Sequence, residues 1–183
     1  MEGYEVRTAE THGMAQRGGS VASYFRFGTN VEGPLIPRGK TDVVLAFEAS
    51  EAVRSFNYAS SKTVFLVNDK IIIPPMIHQM GMEYPDINNI RNFLKEVSDN
   101  IYFIKADEIA LTLENPRVMN VIMLGVLFGS KNIPLKEGSL ISAILNFIPK
   151  KFHDVNRKAF QIGIEEGIKM REDYNEQSIL CRG

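Results

Sequence analysis

The run Val43-Val44-Leu45-Ala46-Phe47 is apolar without a break. A strand with one wet face alternates apolar and polar residues, whereas an unbroken run marks a strand buried on both faces. Thr63 to Val67 is a second such strand, and Ile101 to Ile104 is another short strand. Ile71 to Ile73 reads as a further short strand, ended by Pro74-Pro75. Helical periodicity lies between and after these runs. Glu48 to Phe56 reads as a short helix. Asp86 to Val97 places Ile87, Ile90, Phe93, Leu94 and Val97 on one face, with Asp86 as its N-cap. Ala106 to Leu113 is a helix, and Asn115-Pro116 opens the apolar helix Arg117 to Gly129. Glu137 to Ile148, stopped by Pro149, and Asp154 to Arg171 complete the set. Strands interleaved with helices predict a layered α/β fold.

The first 28 residues are patterned differently. Tyr4 to Glu10 alternates, and Ser20 to Phe27 alternates again, so both read as strands with a turn at Thr11–Gly19 between them. No repeat, linker or low-complexity tract divides the chain, and its 183 residues suit one domain. The net charge of −1 supplies no basic field for nucleic acid or for an anionic membrane. The longest apolar stretch, Val118 to Phe128, is broken by Asn120 and falls far short of the roughly 20 residues of a membrane span. With no signal-like start, the expected location is the cytoplasm.

Several chemistries are excluded by residue counts and spacing. Cys181 is the single cysteine, so there is no internal disulfide and no set of about four thiolates for an iron–sulfur cluster. His12, His78 and His153 stand far apart, with no metal-ligand partner at helical spacing. Gly33 to Thr41 imitates a phosphate loop, but it has five residues between its glycines, two prolines that remove amide donors, and a strand where a helix must follow. No nucleophile elbow, zincin helix or dinucleotide fingerprint occurs. Glu165-Glu166 and Glu172-Asp173 are solvated helix surface, since neighbours at i and i+1 do not face each other.

The turn Glu10-Thr-His-Gly-Met-Ala-Gln-Arg-Gly-Gly-Ser-Val21 is the most informative stretch. Gly13, Gly18 and Gly19 open backbone angles closed to other residues. Successive amides in such a turn can form an anion-binding nest, and Arg17 adds a fork of donors suited to carboxylate or phosphate. His12 and Gln16 add adaptable hydrogen bonding. The same features equally serve a structural role in which Arg17 pins the loop to a neighbouring carboxylate.

This string closely resembles the small, cofactor-free γ-type subunit of 2-oxoacid:ferredoxin oxidoreductases, and its wording His12-Gly-Met-Ala-Gln-Arg-Gly-Gly19 is most similar to the arylpyruvate (indolepyruvate) branch. Asp42 to Glu48, Glu51 to Arg54, Asn115-Pro116, the helix through Met123-Leu124-Gly125, and Val155 to Phe160 resemble the family in the same order. The resemblance implies a three-layer α/β/α sandwich on a mostly parallel, mixed sheet. It also implies an accessory subunit, inactive alone, of a complex that decarboxylates a 2-oxoacid to an acyl-CoA and passes electrons to ferredoxin. Thiamine diphosphate, iron–sulfur clusters and CoA then belong to the complex, with none held by this chain, and the partners are the thiamine-binding subunits. The implied contact residues are His12, Gly13, Gln16, Arg17, Gly18, Gly19 and Ser20. Glu48 joins them at a strand's C-terminal end, where ligands gather in open α/β sheets.

The family opens with a strand, a Gly-x-Gly-Gly-Gln-Gly turn and a helix, and this sequence starts after them. The first βα unit is therefore expected to be absent, leaving a strand edge open to a homodimer contact. Two other functions compete with the subunit reading: a stand-alone transferase using the Gly/Arg turn for a phosphate, and a non-catalytic interaction module. The transferase lacks an acid–base or nucleophile constellation.

Overall fold

The parallel strands lie where the unbroken apolar runs predict them. The computed structural model describes residues 2–10, 20–73, 77 and 83–180. Numbering elements in chain order, β3 (Val43–Ala46), β4 (Val64–Asn68) and β5 (Ile101–Ile104) form one sheet in the order β3-β4-β5. Both pairings are parallel, with Val43 opposite Val64 and Phe65 opposite Ile101. β4 is central, and its Phe65, Leu66 and Val67 are wholly buried.

Alternation along the strands divides the core into two layers. Val44, Ala46, Phe65 and Val67 pack with Ala49, Ala52, Ile90 and Leu94, which come from α1 (Ala49–Arg54) and α2 (Ile87–Lys95). Leu66 and Ile104 point the other way. They meet Ala106 and Ala110 of α3 (Ala106–Thr112), Ile122, Met123 and Val126 of α4 (Met119–Gly129), and Ala159, Phe160 and Ile164 of α6 (His153–Leu180). Helices on both faces of a parallel sheet give the expected three layers. Asp86 caps α2, its carboxylate accepting from Asn89 N at 2.7 Å.

β1 (Glu5–Glu10) and β2 (Ser23–Gly28) pair antiparallel as a ladder of their own, separate from the parallel sheet. The ribbon is tied down at its base. Lys136 N donates to Glu2 at 2.8 Å, the Tyr4 hydroxyl to Pro134 O at 3.1 Å, and Val31 N to Glu5 at 3.3 Å. Tyr24 rests edge-on against Tyr58. The turn Thr11–Gly19 that joins the strands lies outside the described residues.

Three boundaries differ from expectation for physical reasons. Ile71 to Ile73 forms no strand, because Ile72 N donates to the Glu48 carboxylate at 3.1 Å and Lys70 O is taken by Ala49 N. Pro74-Pro75 lies outside the described residues. The helix opened at Pro116 begins as a 3-10 turn, Pro116–Val118, and becomes α-helical at Met119. The last helix runs nine residues beyond Arg171, to Leu180.

The tightest packing is between α4 and α6. Gly125 and Gly129 on α4 face Gly163 and Gly167 on α6, each pair spaced by four so that both members share one face. A methyl group at Gly163 would lie 2.1 Å from the Ile122 carbonyl oxygen, and one at Gly125 would lie 2.3 Å from that of Phe160. The contacts ascend together along both helices, so α4 and α6 run parallel, with α5 (Glu137–Phe147) between them in sequence. Backbone in contact with backbone leaves no room for relaxation.

Gly163→Ala is therefore expected to cost about 3 kcal/mol or more, as overpacking against backbone does. Gly138→Ala is the matched control, since a methyl group there meets open space. Removing a helical glycine at that site is expected to be neutral or to stabilise by up to about 1 kcal/mol. Urea titration of both variants checks the contrast.

Candidate functional site

The C-terminal ends of the parallel strands converge on one buried amide. Asn68 ends β4 on the face of Leu66, wholly buried, and its side chain joins three elements. Its Nδ2 donates to Phe47 O beyond β3 at 3.0 Å and to Asp107 Oδ2 on α3 at 2.5 Å. Its Oδ1 accepts from Ala106 N at 3.1 Å, which supplies a cap that Lys105, the N-cap residue, does not provide. An amide can do this because it carries donors and an acceptor on one planar group.

Asp107 extends the network outward. Its Oδ1 accepts from Lys70 Nζ at 2.6 Å, with Asp107 half-buried and Lys70 exposed. Burial pushes the Asp107 carboxyl up. The hydrogen bonds from Lys70 and Asn68, together with the Lys70 charge, outweigh that push and hold its pKa below the usual value.

Glu48 stands where the sequence predicts, directly after β3 and at the N-terminus of α1. Its Oε1 accepts from Ile72 N and from the Ser50 hydroxyl. This carboxylate therefore positions the 70–73 segment across the sheet end. Ser20, exposed, donates its hydroxyl to the Glu51 carboxylate, which also pairs with Arg54 at 3.1 Å. The structure thus brings Ser20 and Glu48 to the same end of α1. His12, Gly13, Gln16, Arg17, Gly18 and Gly19 lie outside the described residues.

Asn68 and Asp107 are the residues that sequence reasoning missed. The available signal was a polar residue closing the apolar run Val64–Val67, and an acid in the first turn of the helix that follows the next strand. Among the described residues, no group of three or more His, Cys, Asp or Glu side chains is placed to hold a metal ion. At this edge Lys70, Asp107, Glu51 and Arg54 are in ion pairs, and the Glu48 carboxylate is hydrogen-bonded to backbone and hydroxyl. The arrangement is suited to holding loops in place.

Comparison with known proteins places this architecture. Residues 1–166 match the family described as pyruvate ferredoxin/flavodoxin oxidoreductase. The indolepyruvate oxidoreductase subunit IorB of Archaeoglobus fulgidus is 37% identical over 169 residues, 92% of this chain and 84% of that protein. The protein of the same name from Thermococcus kodakarensis is 36% identical over 170 residues, again 92% of this chain and 84% of the relative. The crystal structure of a keto/oxoacid ferredoxin oxidoreductase γ subunit from Geobacter sulfurreducens superposes with a TM-score of 0.62 at 18% identity, covering 92% of this chain and 83% of that one. That likeness is one of fold.

Two measurements test the network. Asn68→Ala leaves Phe47 O and Ala106 N without their partner, and the expected loss is about 2 to 3 kcal/mol. Asp107 has a lowered folded-state pKa. Its contribution is therefore fully present above the unfolded carboxylate value and is lost as pH falls through the folded one. Asp107→Asn is expected to lower stability at neutral pH and to flatten the stability–pH curve below about pH 4. An unchanged acid limb in thermal melts would rule out this role.

Proposed function

We propose an accessory-subunit role for this chain, which belongs to the pyruvate ferredoxin/flavodoxin oxidoreductase family. It acts within a 2-oxoacid:ferredoxin oxidoreductase complex of the indolepyruvate type, and the chemistry takes place on other subunits. The observation that carries this reading is the match of more than a third of its residues, over 92% of its length, to subunits of indolepyruvate oxidoreductases. The residue inventory supports it. A single cysteine cannot furnish the roughly four thiolates of an iron–sulfur cluster. On the family resemblance, clusters, thiamine diphosphate and CoA are assigned to the complex, and the direct partner is the thiamine-binding subunit.

Within that complex the segment His12–Ser20 is the contact element. The β1–β2 ribbon leads into it, and Ser20 is fastened to α1 at the C-terminal end of the parallel sheet. The ribbon exposes Val6 (52%) and Phe25 (62%), diagonal neighbours on one of its faces. An apolar ribbon face of this kind supports an interface role. Arg17 makes the ionic contact, to a carboxylate of the partner or to a phosphate of the coenzyme, and a guanidinium fork binds either in two-point fashion. Glu48 acts by holding the 70–73 segment beside it.

Reconstitution with the other subunits tests the proposal. The wild-type chain is expected to complete a complex that contains thiamine and iron and reduces ferredoxin with an arylpyruvate, while the chain alone is inactive. Arg17→Ala is expected to weaken either assembly or the KM for CoA by about tenfold or more, the size of a lost charge-assisted bond. If the variant assembles normally and keeps the KM for CoA, Arg17 is not the contact residue. Turnover by the isolated chain would overturn the subunit role itself.

A further inference from the structure

The corner between α5 and α6 carries the most exposed large apolar side chain among the described residues, Phe147, at 90% exposure. Its position in the helix makes this unusual. Leu140 and Ile144 of α5 pack into the core, and Phe147 follows them at the i, i+4, i+7 spacing of one apolar stripe. The stripe thus continues past the edge of this chain's own cover.

The corner is rigid. Pro149 stops α5, and Lys150–Phe152 make a 3-10 turn closed by Phe152 N donating to Pro149 O at 2.9 Å. The buried Asn156 donates from Nδ2 to Phe152 O at 2.8 Å, and the His153 ring bonds Ile148 O at 2.9 Å. Lys151 lies over the Phe152 ring, 4.9 Å from its centroid. The backbone that follows Phe147 is thus already ordered and loses little freedom on binding.

Charge narrows the partner. Between residues 131 and 158 the chain has six Lys and Arg against two acids, all exposed, while the whole chain is at −1. None of the six basic residues is in an ion pair among the described residues.

We propose that Phe147, flanked by Lys150 and Lys151, is an anchor that inserts into an apolar pocket rimmed by carboxylates on another subunit of the same complex. An aromatic anchor in an apolar core with a polar rim is a common interface arrangement, and the lysines steer the encounter. The inference rests on the accessory-subunit reading and adds a second contact surface, separate from the His12–Ser20 segment.

The test titrates the full-length chain against the other subunits of its complex at two salt concentrations. Phe147→Ala is expected to weaken assembly about thirtyfold without lowering the melting temperature, because the ring is exposed. Lys150→Glu with Lys151→Glu is expected to weaken assembly and to remove much of its salt dependence. Wild-type affinity in both variants overturns this inference alone, leaving the subunit role standing. Three other outcomes also overturn it: self-association of the isolated chain that Phe147→Ala abolishes, binding to phosphatidylglycerol vesicles that the double charge reversal abolishes, and failure of the wild-type chain to assemble. The last of these overturns the accessory-subunit reading with it.

Discussion

The contact between α4 and α6 is made by backbone, and the layer above one sheet face depends on it. Gly125, Gly129, Gly163 and Gly167 are the positions where each helix meets the other's carbonyl groups. Cα–H groups commonly meet carbonyl oxygens where two helices approach this closely, which adds a weak attraction. The close approach also sets where Ile122, Val126, Phe160 and Ile164 sit, and these fill the space over Leu66 and Ile104. A larger residue at any of the four glycines would lift one helix off the other and open that core.

The opposite constraint operates at the strand ends, where polar atoms do the positioning. Burying an amide is costly unless its donors and acceptor are matched, and Asn68 matches them to the end of β3 and to two adjacent residues of α3. Because the partners belong to two segments, the residue after β3 and the first turn of α3, shifting either one leaves a buried group unpaired. Asn68 thereby fixes the end of β3, the start of α3 and, through Asp107, the position of Lys70. Glu48 does the same for the 70–73 segment from the β3 side. Among the described residues, the C-terminal edge of the sheet is thus tied together by side chains even though its connections are loops.

Strand placement was legible because it depends on local pattern: Val43 to Ala46 lies in the parallel sheet as its unbroken apolar run predicts, while Phe47, the last residue of that run, lies beyond β3 and is exposed. The Asp86 cap was legible for the same reason, being a three-residue relationship. Ile71 to Ile73 has the composition of a strand, but the Ile72 N–H goes to a carboxylate 24 positions earlier in the chain, which no local window contains. The glycine pairs behaved likewise. Gly125 and Gly129 lie within a helix legible from its apolar composition, and their spacing acquires meaning only when Gly163 and Gly167 are brought opposite. At the candidate site, Glu48 could be chosen because it directly follows a buried run. Asp107 sits in an ordinary acidic first turn, and its importance comes from Asn68 and Lys70, which only the fold places beside it.

These two constraints bear on how the chain contributes to function. A site that performs chemistry keeps a reactive group short of its ideal partner, so that substrate can complete the set. At the sheet edge described here the opposite holds, since the charged and buried polar groups on Asn68, Lys70, Asp107, Glu48 and Glu51 have partners within the chain. Exposed apolar side chains also lie away from this edge, among them Val6 and Phe25 on the ribbon and Phe147 at the α5–α6 corner. Exposed apolar surface of this kind favours association, in rough proportion to the area removed from water. A rigid interior with matched polar groups, together with apolar side chains held on anchored edges, is the physical profile of a subunit whose remaining binding energy is directed at other proteins.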